Sequence, residues 1–198
     1  EEEEAIRKGK EFYMKCKEGT NTYNLESPDE KVEMKGIHVD GESLGTGIAT
    51  TLVDASVEDC ASQVIIDFDS RTKLSTLRRR RITDLAVKHI NNHSLYYFNS
   101  RELSVPGLSK RQWRSKVTWK KEAGRIFINT SDTQDLVEEF PLKPRNVLAS
   151  GKTAWLFEPL PPIGEVPQTA VSFTARIDIN SPIPNSIMNR LGAGFISA

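Results

Sequence analysis

The sequence points to an α+β domain, an antiparallel β-sheet with helices packed on one side. Three observations lead there. Its segments come in the order helix, two strands, two short helices, several strands, helix, without the regular strand–helix alternation of a parallel wound sheet. Over residues 112–120, Trp113, Ser115, Val117 and Trp119 share one parity, and Arg114, Lys116, Thr118 and Lys120 the other. One strand face is therefore expected to be dry and the opposite one wet and basic. Val171, Phe173, Ala175 and Ile177 alternate in the same way with Ser172, Thr174, Arg176 and Asp178. At 198 residues the chain suits one domain with a substantial core.

Taken in order, Glu1 to Glu4 suit a helix N-terminus, where the backbone dipole favours acidic side chains. Ile6, Phe12, Tyr13 and Cys16 then recur at helical spacing before Gly19. Residues 1–24 are assigned to an N-terminal helix and linker belonging to the same domain as residues 25–198. Residues 20–28 form a polar connection. Val32, Met34, Ile37 and Val39 mark one extended segment and residues 48–53 a second, together a hairpin. Ser56, with Asp59 three residues on, resembles a capping box; it opens a helix to about residue 66, and a second helical piece runs through Leu77. Further strands are predicted over residues 125–129, over a single long stretch at 147–157, and around 171–177. Pro182 and Pro184 end the last strand and start a helix carrying Ile187, Met188, Leu191 and Phe195 on one stripe.

Composition excludes several classes of function. No run approaches the roughly 18 apolar residues of a membrane-spanning helix, and the opening residues are not expected to be a secretory leader. The chain begins at Glu1 without methionine, so a domain of a larger protein is expected, monomeric and cytoplasmic. Cys16 and Cys60 are far apart and without C-x-x-C partners, which suits reduced thiols and neither a disulfide framework nor a metal site. The 27 basic and 27 acidic residues cancel overall, yet residues 71–125 hold fifteen Lys and Arg against Asp84, Glu102 and Glu122. With a pI near 7.1, this excess argues against nucleic acid and suits a solvated face or peripheral contact with an anionic membrane. Arg78, Arg79, Arg80 and Arg81 are its densest part and the candidate membrane-contact residues.

Catalytic motifs fail on inspection. Gly41-Glu-Ser43-Leu-Gly45 matches G-x-S-x-G, but a nucleophile elbow must lead into a helix, whereas the residues after Gly45 are rich in glycine and β-branched side chains. Ser43 is read as part of a hairpin turn. His89 and His93 lack the glutamate of an H-E-x-x-H site, His38 has no neighbouring nucleophile, and no glycine-rich phosphate loop exists. The chain is expected to be no enzyme and to need no cofactor or metal. A catalytic role on this scaffold would have to fall to Ser115, Thr153 and the histidines.

Two stretches resemble a known family. QTAVSFTARIDINSPIPNSIMNRL, from Gln168, has a last strand ending in Ile177-Asp178, then a short turn and prolines leading into a helix. RQWRSKVTWKK, from Arg111, resembles an Arg-Asp-aromatic strand, and Gly124-Arg-Ile-Phe-Ile follows as the next one. Both are similar to the steroidogenic acute regulatory protein-related lipid-transfer (START) domains, with the upstream hairpin and paired helices in family order, so the resemblance spans roughly residues 5–198. Gln112 stands where the family has aspartate, and Val117 where its sterol-binding members carry a cavity arginine. The resemblance implies a helix-grip fold: a curved antiparallel sheet wrapped around a C-terminal helix, here shorter than the family's. It also implies one lipid bound between sheet and helix, for intracellular transfer or sensing.

The lining implied is Trp113, Ser115, Val117, Trp119, Ile126, Ile128, Val171, Phe173 and Ala175 from the strands, closed by Ile187, Met188, Leu191 and Phe195. The competing expectation is a ligand-free regulatory or protein-interaction domain in which Trp113, Trp119 and Trp155 fill the same space.

Overall fold

The computed structural model describes residues 1–27, 29–38, 45–68, 81–103 and 107–180. Along these residues run α1 (Glu2–Lys17), β1 (Thr22–Asn24), β2 (Glu33–Ile37), β3 (Gly45–Val53), α2 (Val57–Phe68), β4 (Ile82–Asn91), β5 (Ser94–Arg101), β6 (Arg111–Glu122), β7 (Arg125–Asp132), β8 (Val147–Leu148), β9 (Ser150–Ile163) and β10 (Val166–Asp178). The strands form one open sheet in the order β1-β2-β3-β10-β9-β7-β6-β5-β4, antiparallel throughout, with β8 added in parallel beside β6. The α+β expectation is met.

The helices, however, do not share a side. α1 lays Ile6 and Tyr13 on Phe127 and Ala154, whereas α2 lays Val57 and Ala61 on Val117, Ile128 and Phe157, which alternate with them across the sheet. Strand β7 carries Ile126, Phe127 and Ile128 in succession, and β9 carries Ala154, Trp155, Leu156 and Phe157. Such unbroken apolar runs belong to strands covered on both faces. Gly9 permits the close approach of α1, since a Cβ there would stand 2.6 Å from Asn129 Oδ1 and 2.8 Å from the Phe127 ring.

The same helix corrects the expectation of a wet, basic strand face. Thr118 is 1% exposed, and Ser172 and Thr174 of β10 are buried as well. Glu1 pairs with Lys116, Glu3 with Lys120, and Lys10 with Glu122. Glu2 accepts hydrogen bonds from Asn91 Nδ2 at 2.7 Å and Ser94 Oγ at 2.9 Å. The acidic opening of the chain thus neutralises strand lysines besides favouring its own helix. Each exposed pair contributes only about 0–1 kcal/mol, added to the apolar contacts of Ile6 and Tyr13 that seat the helix.

Several local readings are met. Ser56 caps α2: its Oγ accepts from the Asp59 N–H at 3.1 Å and donates to Asp59 Oδ2 at 2.6 Å. β2 and β3 pair as a hairpin, with Gly36 opposite Gly47, and Gly45 enters a strand, not the helix a nucleophile elbow needs. Two are corrected. The polar connection contains β1, whose Tyr23 ring lies on Gly36: a Cβ there would be 2.1 Å from Tyr23 Cζ. The long strand predicted at 147–157 breaks at Ala149. Val147 donates its N–H to Lys110 O and Ala149 to Gln112 O, so the chain first pairs with β6 and only then crosses to β10. Ser43 and its turn, the helical piece through Leu77, and the C-terminal helix lie outside the described residues.

Candidate functional site

Cross-strand register sorts the α2 side of the sheet into rows. Ile126, Phe157 and Val171 stand side by side in one. The next holds Trp119, Ile128, Trp155, Phe173 and Ala49, and the one after it Leu95, Val117, Thr130, Thr153 and Ala175. A further row holds Tyr97, Ser115 and Asp132. Polarity therefore rises along the strands, from a hydrocarbon end to an end bearing hydroxyls and a carboxyl.

The apolar rows are densely aromatic. Trp155 stacks on Phe173 with centroids 4.2 Å apart and lies nearly parallel to Phe157 at 5.9 Å. Val117 and Ile128 are fully buried at 0% exposure, while Trp119, Ile126 and Trp155 are half-buried. In the polar rows, Thr130 is 8% exposed and its Oγ1 has no hydrogen-bond partner among the described residues. Leaving a hydroxyl buried and unpaired is unfavourable by about 1–3 kcal/mol. Burial pushes the Asp132 carboxyl up. The Gly151 N–H, 3.0 and 3.2 Å from its two oxygens, pulls it back, and nearby Asp178 adds to the rise.

Of the residues predicted from sequence, Ser115, Val117, Trp119, Ile126, Ile128, Val171, Phe173 and Ala175 fall on this one side in adjacent rows. Trp113 shares the side but packs in a separate cluster with Leu103, Ala149 and Ile179. Ile187, Met188, Leu191 and Phe195, the predicted lid, lie outside the described residues, as do Arg78, Arg79 and Arg80; Arg81 is exposed at the entry to β4. Sequence reasoning missed Leu95, Thr130 and Phe157 as members of the face. Parity could not place Phe157 within an apolar run, and only its register opposite Val171 does so.

The Arg-x-aromatic start of β6 turns out to be structural. Arg111 is buried and donates through Nε to Ile179 O at 2.6 Å and through a terminal nitrogen to Ser109 O, so it fixes the exit of the chain from β10. Burial pulls its basicity down. No catalytic constellation assembles among the described residues. His89 lies on β4, and His93 sits in the following turn with its N–H donated to Asn91 Oδ1. No group of three or more potential metal ligands occurs among them. Cys16 and Cys60 form no disulfide, and no described helix is long and apolar enough to cross a membrane.

No family model matches the chain, and no curated protein matches it in sequence. Solved structures do resemble it. Human StAR-related lipid transfer protein 5 is 15% identical over 99% of this chain and 91% of its own, with a TM-score of 0.74. Human STARD10 is 14% identical over 96% of this chain and 74% of its own, with a TM-score of 0.72. The lipid transfer and protein localization domain of human StarD13 (DLC2) is 18% identical over 97% and 91%, with a TM-score of 0.68. At such identities the likeness is one of architecture, and it agrees with the element order, the sheet topology and the strand motifs: the chain has the α+β helix-grip fold of the StAR-related lipid-transfer domains.

Proposed function

We propose that the chain binds a single lipid against the α2 side of its sheet, for transfer between membranes or for sensing, without catalysis or cofactor. The observation that carries this reading is the graded face itself: contiguous apolar rows end in Ser115, Thr130, Thr153 and Asp132, with the Thr130 hydroxyl unsatisfied. A hydrocarbon body would lie alongside α2, against the half-buried Trp119, Ile126 and Trp155. A polar head would reach the hydroxyls. The fold shared with proteins named for lipid transfer supports the same reading. Burying about 16 methylenes at ~0.8 kcal/mol each gives about 13 kcal/mol gross, comparable to what the lipid loses on leaving its bilayer, so exchange is nearly isoenergetic. Residues 1–198 act here as one lipid-binding domain, with Ile187, Met188, Leu191 and Phe195 as its lid and Arg78 to Arg81 as its contact with anionic headgroups.

Native mass spectrometry of the purified chain tests the proposal. A co-purifying lipid, displaced in an Ala175→Trp variant that fills the middle row, is the expected result. Consistent absence of lipid, together with failure to extract any from vesicles, would leave the ligand-free interaction domain as the reading.

A further inference from the structure

Where the sheet splits, it holds a second polar pocket. Below the Thr130–Thr153 pair, β7 and β9 no longer bond through their backbones; β7 continues beside β6, β9 beside β10, and the Asp132 carboxylate takes the Gly151 N–H instead. A pocket of about 340 Å³ opens in this gap, lined by Arg114, Asp132, Asp178, Gln134, Ser150 and Asn180, among others. Arg114 is 6% exposed, its Nε is buried without a hydrogen-bond partner, and among the described residues no carboxylate forms an ion pair with it. Among the described residues the two carboxylates likewise have no cationic partner. Asp132 holds only the Gly151 N–H, and Asp178 only the Asn180 N–H at 2.7 Å.

A buried guanidinium calls for an anion, such as a carboxylate or phosphate, that can accept from its fork of donors, and two neighbouring carboxylates call for a cation. Arg114 does not satisfy Asp132 or Asp178, so each half of the site waits for a complementary charge. A lone anion would be repelled by the carboxylates and a lone cation by the arginine. We propose that this pocket binds a small zwitterion, an ammonium group joined by a short link to a carboxylate or phosphate, with the anion on Arg114 and the ammonium between Asp132 and Asp178. Burial, and to a lesser degree nearby Asp178, pushes the Asp132 carboxyl up. The chemistry is shared by free amino acids and by ethanolamine-phosphate headgroups. The site shares Asp132 with the polar end of the proposed lipid face, whereas Arg114 and Asp178 belong to it alone, so loss of zwitterion binding in Arg114→Met with lipid extraction intact separates the two readings.

Amide chemical shifts of the full chain, followed during titration with β-alanine and with phosphoethanolamine, test it, with ethylamine and inorganic phosphate as single-charge controls. At least one zwitterion is expected to saturate shifts at Thr133 and Gly151, roughly tenfold more tightly than either control. Arg114→Met is expected to abolish that saturation without lowering the melting temperature, because an unpaired buried charge gives way to an apolar side chain of similar length. Asp132→Asn is expected to weaken the zwitterion while sparing phosphate. If the source is a lipid headgroup, chain preloaded from phosphatidylethanolamine vesicles shows the shifted amides at the outset and no longer titrates. If the source is free, preloading changes nothing. The proposal is overturned if no zwitterion saturates by about 10 mM, if inorganic phosphate binds equally well, or if Arg114→Met binds unchanged.

Discussion

Gln112 occupies the position where the START resemblance leads one to expect aspartate, and its amide does what a carboxylate cannot. Fully buried, it donates through Nε2 to Pro141 O at 3.0 Å and Phe140 O at 3.4 Å, and it accepts through Oε1 from Lys143 N and Asn146 Nδ2, both at 3.3 Å. It thereby ties the loop after β7 to β6. In Gln112→Asp the shorter side chain bears acceptors only, and it would face two carbonyl oxygens with a buried negative charge. A loss of about 1–3 kcal/mol is expected, seen as a lower midpoint in chemical denaturation with an unchanged slope. An unaltered midpoint would mean that the loop is held by other contacts. Such roles set the limit of what the sequence discloses. The inward position of Val117 follows from alternation alone, whereas the loop bonded by Gln112 lies 28 to 34 residues further along the chain. Thr130 escaped notice for a related reason: a threonine in a strand is unremarked until its neighbours prove to offer it no partner.

The first helix illustrates the same division between local and distant information. Its existence was legible from spacing and from the acidic run, because both act within the helix. Its place on the side of the sheet opposite α2 was not, since that depends on which parity of β7 and β9 each helix covers. The ion pairs that seat α1 give it a pH signature. Lys10 first, then Lys120, hold the Glu122 carboxyl down at about 2 against an ordinary value of 4.5, and Asn91 and Ser94 lower Glu2. A carboxyl whose folded value lies below its unfolded one contributes stability that is complete above the unfolded value and lost as the pH falls toward the folded one. α1 is therefore expected to loosen from the sheet between about pH 4.5 and about 2, with its amide protection falling before that of β6 and β7. Lys10→Gln should move the Glu122 titration upward. Protection of α1 that follows the sheet amides step for step through this range would show that its apolar stripe, Ile6 and Tyr13, carries the attachment without help from the charges.

Across the entire chain, the balanced total charge conceals a division that the fold makes useful. Part of the basic excess of residues 71–125 is paired from outside that stretch: Lys116 and Lys120 by Glu1 and Glu3, Lys121 by Glu58, Lys88 by Glu139. Sequence counting saw the excess but not these partners, which come from the far N-terminus, α2 and the loop after β7. Paired lysines have little left to offer a membrane, so the contact proposed for the chain narrows to the arginine run. Each basic residue close to an anionic surface contributes about 1 kcal/mol, and four of them about 4 kcal/mol, near a thousandfold in partition. Reversing Arg78 to Arg81 to glutamate is thus expected to lower binding to phosphatidylserine vesicles at low salt by at least roughly a hundredfold. Lys121→Glu, which removes a lysine already paired, should change binding by less than about threefold. Co-sedimentation of the two variants decides the matter. Equal losses would mean that the surface responds to net charge and not to a defined patch, and undiminished binding of the arginine variant would remove the membrane contact from the mechanism while leaving the lipid-binding face as it stands.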